Sequence, residues 1–286
     1  GHGAGSACGK NISKKTFDTL RSQKVNNYAL DKNLSKKNFS EKLMDGLMPC
    51  PEYFPSNVYL NKNGYEDVEE IIKKSCNPLS SSEFEYLSKK NCIILDVRSK
   101  FDFSRSHIPK SLFIGLEGNF APWAGSVIGD IKTPILLVTD KNKEKETIKR
   151  LARVGFDNIL GYLSDGIESW VKNGREIDSI KNVSAEEILS KPLEIIDVRT
   201  PAEYLKKHVK SSINLPLNNY KKNKLKTLSN NPFYVHCQSG YRSLIYLSIL
   251  KKSGIHSGLN VKGGFKSIEK LLDWQNVNIS QYFVIL

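Results

Sequence analysis

One eight-residue pattern, closing on Asp-Val-Arg and a hydroxyl residue, occurs twice in this chain. Cys92-Ile-Ile-Leu-Asp96-Val97-Arg98-Ser99 returns at an offset of 101 residues as Leu193-Glu-Ile-Ile-Asp197-Val198-Arg199-Thr200. The same offset pairs Asp102 with Glu203, His107 with His208, Ser111 with Ser212 and Leu116 with Leu217. The apolar run Pro134–Thr139 has its counterpart in Pro232–His236, and a helical stretch and a Gly turn (Gly166 or Gly264) follow each. A period near 100 residues exceeds the roughly 20–50 residues of solenoid repeats and describes two tandem domains of one kind. The length of 286 residues agrees, since a domain takes about 100–200.

Local patterns give the architecture of each copy. Ser80 and Ser184 are each followed three residues later by Glu, which starts a helix. Strand runs that are apolar throughout, alternating with amphipathic helices, predict an α/β domain whose parallel sheet is covered by helices on both faces. In such a sheet the ligand site lies beyond the carboxyl ends of the strands. In the second copy that place is Cys237, directly after Val235-His236.

Composition narrows the class. Hydrophobic residues make up 39% of the chain, which excludes wholesale disorder. The longest apolar runs, such as Ile135–Val138 and Phe283–Leu286, fall far short of a membrane span, which needs about 20 residues, so no membrane partner is expected. The five cysteines (Cys8, Cys50, Cys76, Cys92 and Cys237) are scattered and form no CxxC. That argues against a disulfide framework or zinc ribbon and predicts a reducing, cytoplasmic setting. Net charge is +13, of which +8 falls in residues 178–286. Such a surface gathers small anions, but no basic stripe interleaves with aromatics, so nucleic acid is not expected as a partner.

His236-Cys237-Gln238-Ser239-Gly240-Tyr241-Arg242-Ser243 combines four features around one sulfur. Cys237 follows a buried strand, and the next residues can curl so that their N–H groups form an anion nest. A helix starting near Ser239–Arg242 aims its positive end at the same point. Arg242 adds a guanidinium suited to an oxyanion. All four favour thiolate over thiol and would also hold a persulfide. Cys50, Cys76 and Cys92 have no such context and are read as structural.

Asp197-Val-Arg199, Glu203, His208, Ile213-Asn-Leu-Pro216 and the Cys-x4-Arg loop resemble a rhodanese domain. The resemblance implies a sulfurtransferase in which Cys237 carries sulfane sulfur as a persulfide. Its donors and acceptors would be small anionic sulfur compounds: thiosulfate, sulfite, persulfides and thiols. Gln238, Ser239, Gly240 and Tyr241 would supply loop amides and Arg242 would close the loop, with no cofactor. Asp197 and Arg199 match structural positions. Phosphatases and arsenate reductases of related fold resemble Cys-x5-Arg instead, a wider cradle. The first copy has Asp140 where the cysteine should stand, followed by Lys141–Glu146 without a Gly or a matching Arg. It is expected to be inactive, with a packing or docking role, and Phe120–Gly125 is its expected contact with a neighbouring domain. A pair of docking modules without turnover remains the alternative for the whole chain.

Residues 1–77 belong to neither copy. Lys14–Gln23 and Ser35–Leu47 have helical spacing, and Pro49–Pro55 is a Pro-rich connector. Such a segment is too small for a core of its own and should pack on the first copy or on a part not in this chain. Gly1-His2-Gly3 reads as the middle of a motif, so the natural N-terminus is expected upstream. Gly1–Lys10 resembles the tail of a metallo-β-lactamase-fold domain, as in fusions of a persulfide dioxygenase with rhodanese domains. That resemblance implies His2 as one ligand of an Fe(II) site and homo-oligomerisation through the missing domain, and it leaves Cys8 open between a second redox-active thiol and an inert one. One imidazole does not make an iron site, so no dioxygenase activity is expected of this chain by itself. The implied order is a metallo-β-lactamase-fold remnant and connector (1–77), an inactive rhodanese-like domain (78–177) and a catalytic rhodanese domain (178–286).

Overall fold

Both copies of the repeat fold as a five-stranded parallel sheet with the same strand order. The computed structural model describes residues 17–44, 51, 53–191, 193–221, 231–274 and 283–285. The first sheet runs β1 (Pro78–Leu79), β5 (Ile159–Leu163), β4 (Ile135–Val138), β2 (Ile93–Asp96), β3 (Leu112–Phe113) across its width. The second runs β6 (Asn182–Val183), β11 (Gly258–Val261), β10 (Phe233–His236), β7 (Glu194–Asp197), β9 (Ile213–Asn214). A small antiparallel pair joins β8 (Lys207–Val209) to β12 (Phe283–Ile285). His236 is in register with Asp197, so the loops that follow β10 and β7 leave the sheet side by side.

The repeated Asp-Val-Arg turns out to be a buried strut. Arg199 Nε lies 3.0 and 2.9 Å from the two Asp197 oxygens, and its Nη2 also donates to the Lys207 carbonyl at 2.8 Å. Arg98 repeats the pattern with Asp96 and the Ser106 carbonyl. Each strut ties the end of a strand to the far end of the helix after it, and a bidentate fork fits that task better than any other cation. Ser80–Glu83 and Ser184–Glu187 form the expected capping boxes at α5 (Ser81–Ser88) and α10 (Ala185–Ser190). A third, Thr200–Glu203, opens α11 (Pro201–Lys206) with Pro201 in its first turn.

The two sheets share one core. In α12 (Tyr241–Lys252) every residue from Ser243 to Lys251 is buried. This helix covers its own sheet and also β3 of the first domain, and Leu244–Leu247 join Phe113 and Leu112 in a single apolar cluster. Its sequence is apolar on every side, as a helix buried all round must be. Ser248 supplies the polar stitch: its hydroxyl accepts from the Phe113 N–H at 3.0 Å. The insertion helix α7 (Phe120–Ile128) meets the second domain just beyond the expected Phe120–Gly125 stretch, with the Val127 carbonyl accepting from the Tyr220 hydroxyl at 2.7 Å.

The chain divides into compact units at Pro51 and Glu52. In the smaller unit Thr19 caps α1 (Leu20–Asn26), followed by the turn Tyr28–Leu30 and by α2 (Lys36–Met44). The two helices expected over 14–23 and 35–47 are both seen, the first displaced toward its C-terminus because Thr19 starts it. Neither helix buries a residue. In the larger unit α3 (Phe54–Asn63) and α4 (Val68–Ser75) precede β1. Ile71 of α4 packs with Ile148 and Leu151 of α8 (Glu144–Ala152), which seats α4 on the first copy, one of the two places expected for residues 1–77. His2, Cys8 and Cys50 lie outside the described residues.

Candidate active site

Cys237 stands at the carboxyl end of β10, whose four residues are all buried. Gln238 and Ser239 are exposed, Gly240 turns the chain at φ +88°, and α12 starts at Tyr241. This turn brings the Gly240 N–H to 3.2 Å from Cys237 Sγ. The Ser243 hydroxyl lies 3.7 Å from the sulfur and donates to Asn260 Oδ1 at 2.7 Å. The sulfur is thus enclosed, 1% exposed, between a backbone donor and a hydroxyl.

The floor of the loop is α13 (Gly264–Trp274). Its first N–H groups need partners outside the helix. Phe265 N donates to the Cys237 carbonyl at 2.7 Å and Lys266 N to the Gln238 carbonyl at 3.2 Å. With the carbonyls occupied below, the loop is held closed. Gly264, at φ +62°, permits this contact: a Cβ there would lie 2.3 Å from the Cys237 carbonyl oxygen. The sequence marked Gly264 only as a turn.

The loop residues divide their tasks in a way that spacing did not reveal. Gly240 is the amide seen on the sulfur, whereas Gln238 and Ser239 face outward. Tyr241 turns into the first domain. Its hydroxyl donates to the Gly115 carbonyl at 2.7 Å, and its ring fills the space a Gly118 side chain would need. Arg242, expected as a guanidinium at the rim that closes the loop, places its fork on Glu203 with two 2.7 Å bonds. The reason is local: the Thr200 capping box fixes that carboxylate beside the loop.

Charges at the site follow from these contacts. Burial would raise the Glu203 carboxyl, but the Arg242 fork and the Thr200 N–H overcome it and bring the value down to about 2. Burial works against the Arg242 charge too, yet hydrogen bonds to Glu203 and attraction to Cys237 outweigh it and hold its proton more firmly than usual. Burial pushes the fully enclosed His236 imidazole down, against the pull of Asp197, whose Oδ2 is 3.8 Å from Nε2. The Glu203 shift sets a pH dependence. Its carboxyl sits below the ordinary 4.5, so its stabilisation is complete above pH 4.5 and disappears as pH falls toward 2. For a partly exposed pair this is worth roughly 2 kcal/mol. Urea unfolding should therefore separate Arg242→Gln from the parent protein by about that amount at pH 7, with the gap closing near pH 2–3; a gap independent of pH would refute it.

In the first copy Val138 is in register with Asp96 as His236 is with Asp197, so Thr139 takes the place of Cys237 and Asp140, expected there, stands one residue further on. Asp140 borders a cavity of about 270 Å³ with Glu117, Lys143, Glu146 and Arg150. Burial raises its carboxyl against the pull of Arg98. Among the described residues no group of three or more His, Cys, Asp or Glu side chains could hold a metal ion. No helix among them is long and apolar enough to cross a membrane.

Comparison with known proteins accords with this arrangement. Over 89 residues the chain is 34% identical to the uncharacterized protein YqhL of Bacillus subtilis (strain 168), covering 30% of this chain and 71% of YqhL. It is similar to the crystal structure of thiosulfate sulfurtransferase from Pseudomonas aeruginosa, with TM-score 0.31 and 16% identity, over 70% of this chain and 43% of that one. The 3-mercaptopyruvate sulfurtransferase from Leishmania major gives TM-score 0.33 and 13% identity, over 70% and 75% of the respective chains. The Rhodanese-like domain model matches twice, at residues 81–173 and 182–271, one match on each sheet and together well over half the sequence, and by that double match the chain belongs to the rhodanese-like family.

Proposed function

We propose that the protein is a sulfurtransferase that carries sulfane sulfur on Cys237. The thiolate attacks the outer sulfur of thiosulfate or a low-molecular-weight persulfide. A new S–S bond forms at Cys237, the donor's S–S bond breaks, and sulfite or a thiolate departs with the electron pair. A sulfite or thiol acceptor then attacks the terminal sulfur and the Cys237 thiolate is regenerated. The covalent intermediate makes the kinetics ping-pong. One observation carries the reading: the loop after β10 is closed over the sulfur, with the Gly240 N–H directed at it from 3.2 Å. A backbone donor already in place stabilises developing charge without reorganisation. Arg242, paired with Glu203, acts in this reading as the brace of the loop and as a nearby positive charge rather than as the anion's direct ligand.

The first domain, with Thr139 in place of a thiol, serves in this proposal as a non-catalytic partner. The resemblance of Gly1–Lys10 to a metallo-β-lactamase-fold tail extends the reading to a persulfide-oxidising fusion, in which sulfite arises beside the domain that consumes it. Incubation with thiosulfate followed by intact-mass measurement should add one sulfur, about 32 Da, to the protein and none to Cys237→Ser. Absence of the adduct, together with absence of thiocyanate formation from cyanide, would favour a docking module instead.

A further inference from the structure

Between the two domains lies a groove of about 990 Å³, at the upper end of the volumes that enclose an organic ligand. One side is α6 (Lys100–Arg105) of the first domain; the other includes Ser239 and Gly240 of the Cys237 loop and the turn before α13. The space far exceeds what a small oxyanion such as thiosulfate fills. Its charge is one-sided: Lys100, Arg105, Lys181, Lys262 and Lys270 line it, with Glu186 as the lone carboxylate among the lining residues. Arg105 shares its charge with Asp102 at 2.7 Å, whereas Lys181, Lys262 and Lys270 form no ion pair with any described residue. Like charges placed together repel, so their convergence favours an anion between them.

The groove is also coupled to the sulfur. Lys100 Nζ donates to the Ser239 carbonyl at 3.1 Å. The N–H of that same peptide group, on Gly240, is the donor to Cys237 Sγ. A cation on the carbonyl polarises the peptide and strengthens its N–H as a donor. A charge in the groove therefore acts on Cys237 through one peptide bond.

We infer that the groove receives the body of a multiply anionic, low-molecular-weight thiol, and that this compound is the preferred acceptor of the Cys237 sulfur. The inference rests on the sulfur-carrier reading above. The acceptor loses its thiol proton to solvent, and its thiolate attacks the terminal sulfur of the persulfide. The new S–S bond forms on the acceptor as the Cys237 S–S bond breaks and its electrons return to Sγ. No oxidant or reductant is consumed.

The test uses the full chain loaded with one sulfur and follows its loss by intact mass in single turnover. The acceptors are uncharged 2-mercaptoethanol, the dicarboxylate mercaptosuccinate and the phosphate-bearing coenzyme A, each rate corrected for thiolate fraction. An anionic acceptor should react at least about tenfold faster than the neutral one at low ionic strength, and the advantage should shrink with added salt. Which of the two anions gains more identifies carboxylate or phosphate as the preferred group, and either result supports the proposal. Lys181→Gln/Lys262→Gln/Lys270→Gln should bring the ratio of anionic to neutral rates toward one, with an unchanged melting temperature. Equal rates for all three thiols in the parent protein, or a ratio indifferent to the three substitutions, would overturn the groove. Failure to load sulfur at all would instead refute the carrier reading.

Discussion

Gly264→Ala should cut the rate of sulfur loading on Cys237 by about 100-fold or more while leaving the fold in place. The alanine methyl would lie 2.3 Å from the Cys237 carbonyl oxygen and 2.9 Å from both Gln238 C and Ser239 N. All three are backbone atoms, so relief cannot come from a rotamer change; the loop must lift off the start of α13. That motion breaks the Phe265 N–H bond to the Cys237 carbonyl and displaces the Gly240 amide from the sulfur. A misplacement near 1 Å at a reacting centre costs about 100-fold. The left-handed φ of +62° adds backbone strain for any non-glycine residue, a further cost of about 1–3 kcal/mol. A time course of mass gain on thiosulfate, beside a thermal melt, separates loss of the cradle from loss of the domain. Loading within about twofold of the parent rate would show that the cradle has no such strict geometry.

Arg199→Met should be the most destabilising single substitution in the second domain, at about 3–5 kcal/mol. Arg199 is 3% and Asp197 0% exposed, so removing the guanidinium strands a carboxylate that water cannot reach. The Lys207 carbonyl also loses its donor. For a protein of this size the melting temperature should fall by roughly 10 °C. Asp197→Asn in the same background should restore part of the loss. The amide carries no charge and can still accept from the Arg199-position N–H, which Asp197 Oδ1 now holds at 2.9 Å. A fall of less than about 2 °C for Arg199→Met would mean that the strut contributes no net stability.

What the sequence disclosed and what it hid divide by physical range. The repeat predicted two sheets of one kind because each copy keeps its own strands, caps and Asp-Val-Arg strut within about 100 residues. The Cys237 loop was legible because its strand, its glycine and its helix start are neighbours along the chain. The pairing of Arg242 with Glu203 was hidden for the opposite reason: the two are 39 residues apart, and nothing in that spacing links them. The contacts of Lys100 with Ser239 and of Tyr241 with Gly115 cross from one domain to the other, 139 and 126 residues apart, beyond any local pattern. One missed feature did leave a trace. Leu244-Ile-Tyr-Leu247 and Ile249-Leu250 leave α12 without a polar face, and that alone requires a second wall against it.

That second wall determines how the molecule can work. Phe113 of the first domain meets Tyr241 edge to face at 5.7 Å, and its N–H is spent on Ser248. Spreading the halves apart would wet the apolar seam along α12, at about 25 cal/mol for each Å² exposed. The junction is therefore a weld and not a hinge. Whatever reaches the cysteine must come to a doorway of fixed shape, and selectivity has to be built into the frame because no closing movement is on hand to supply it.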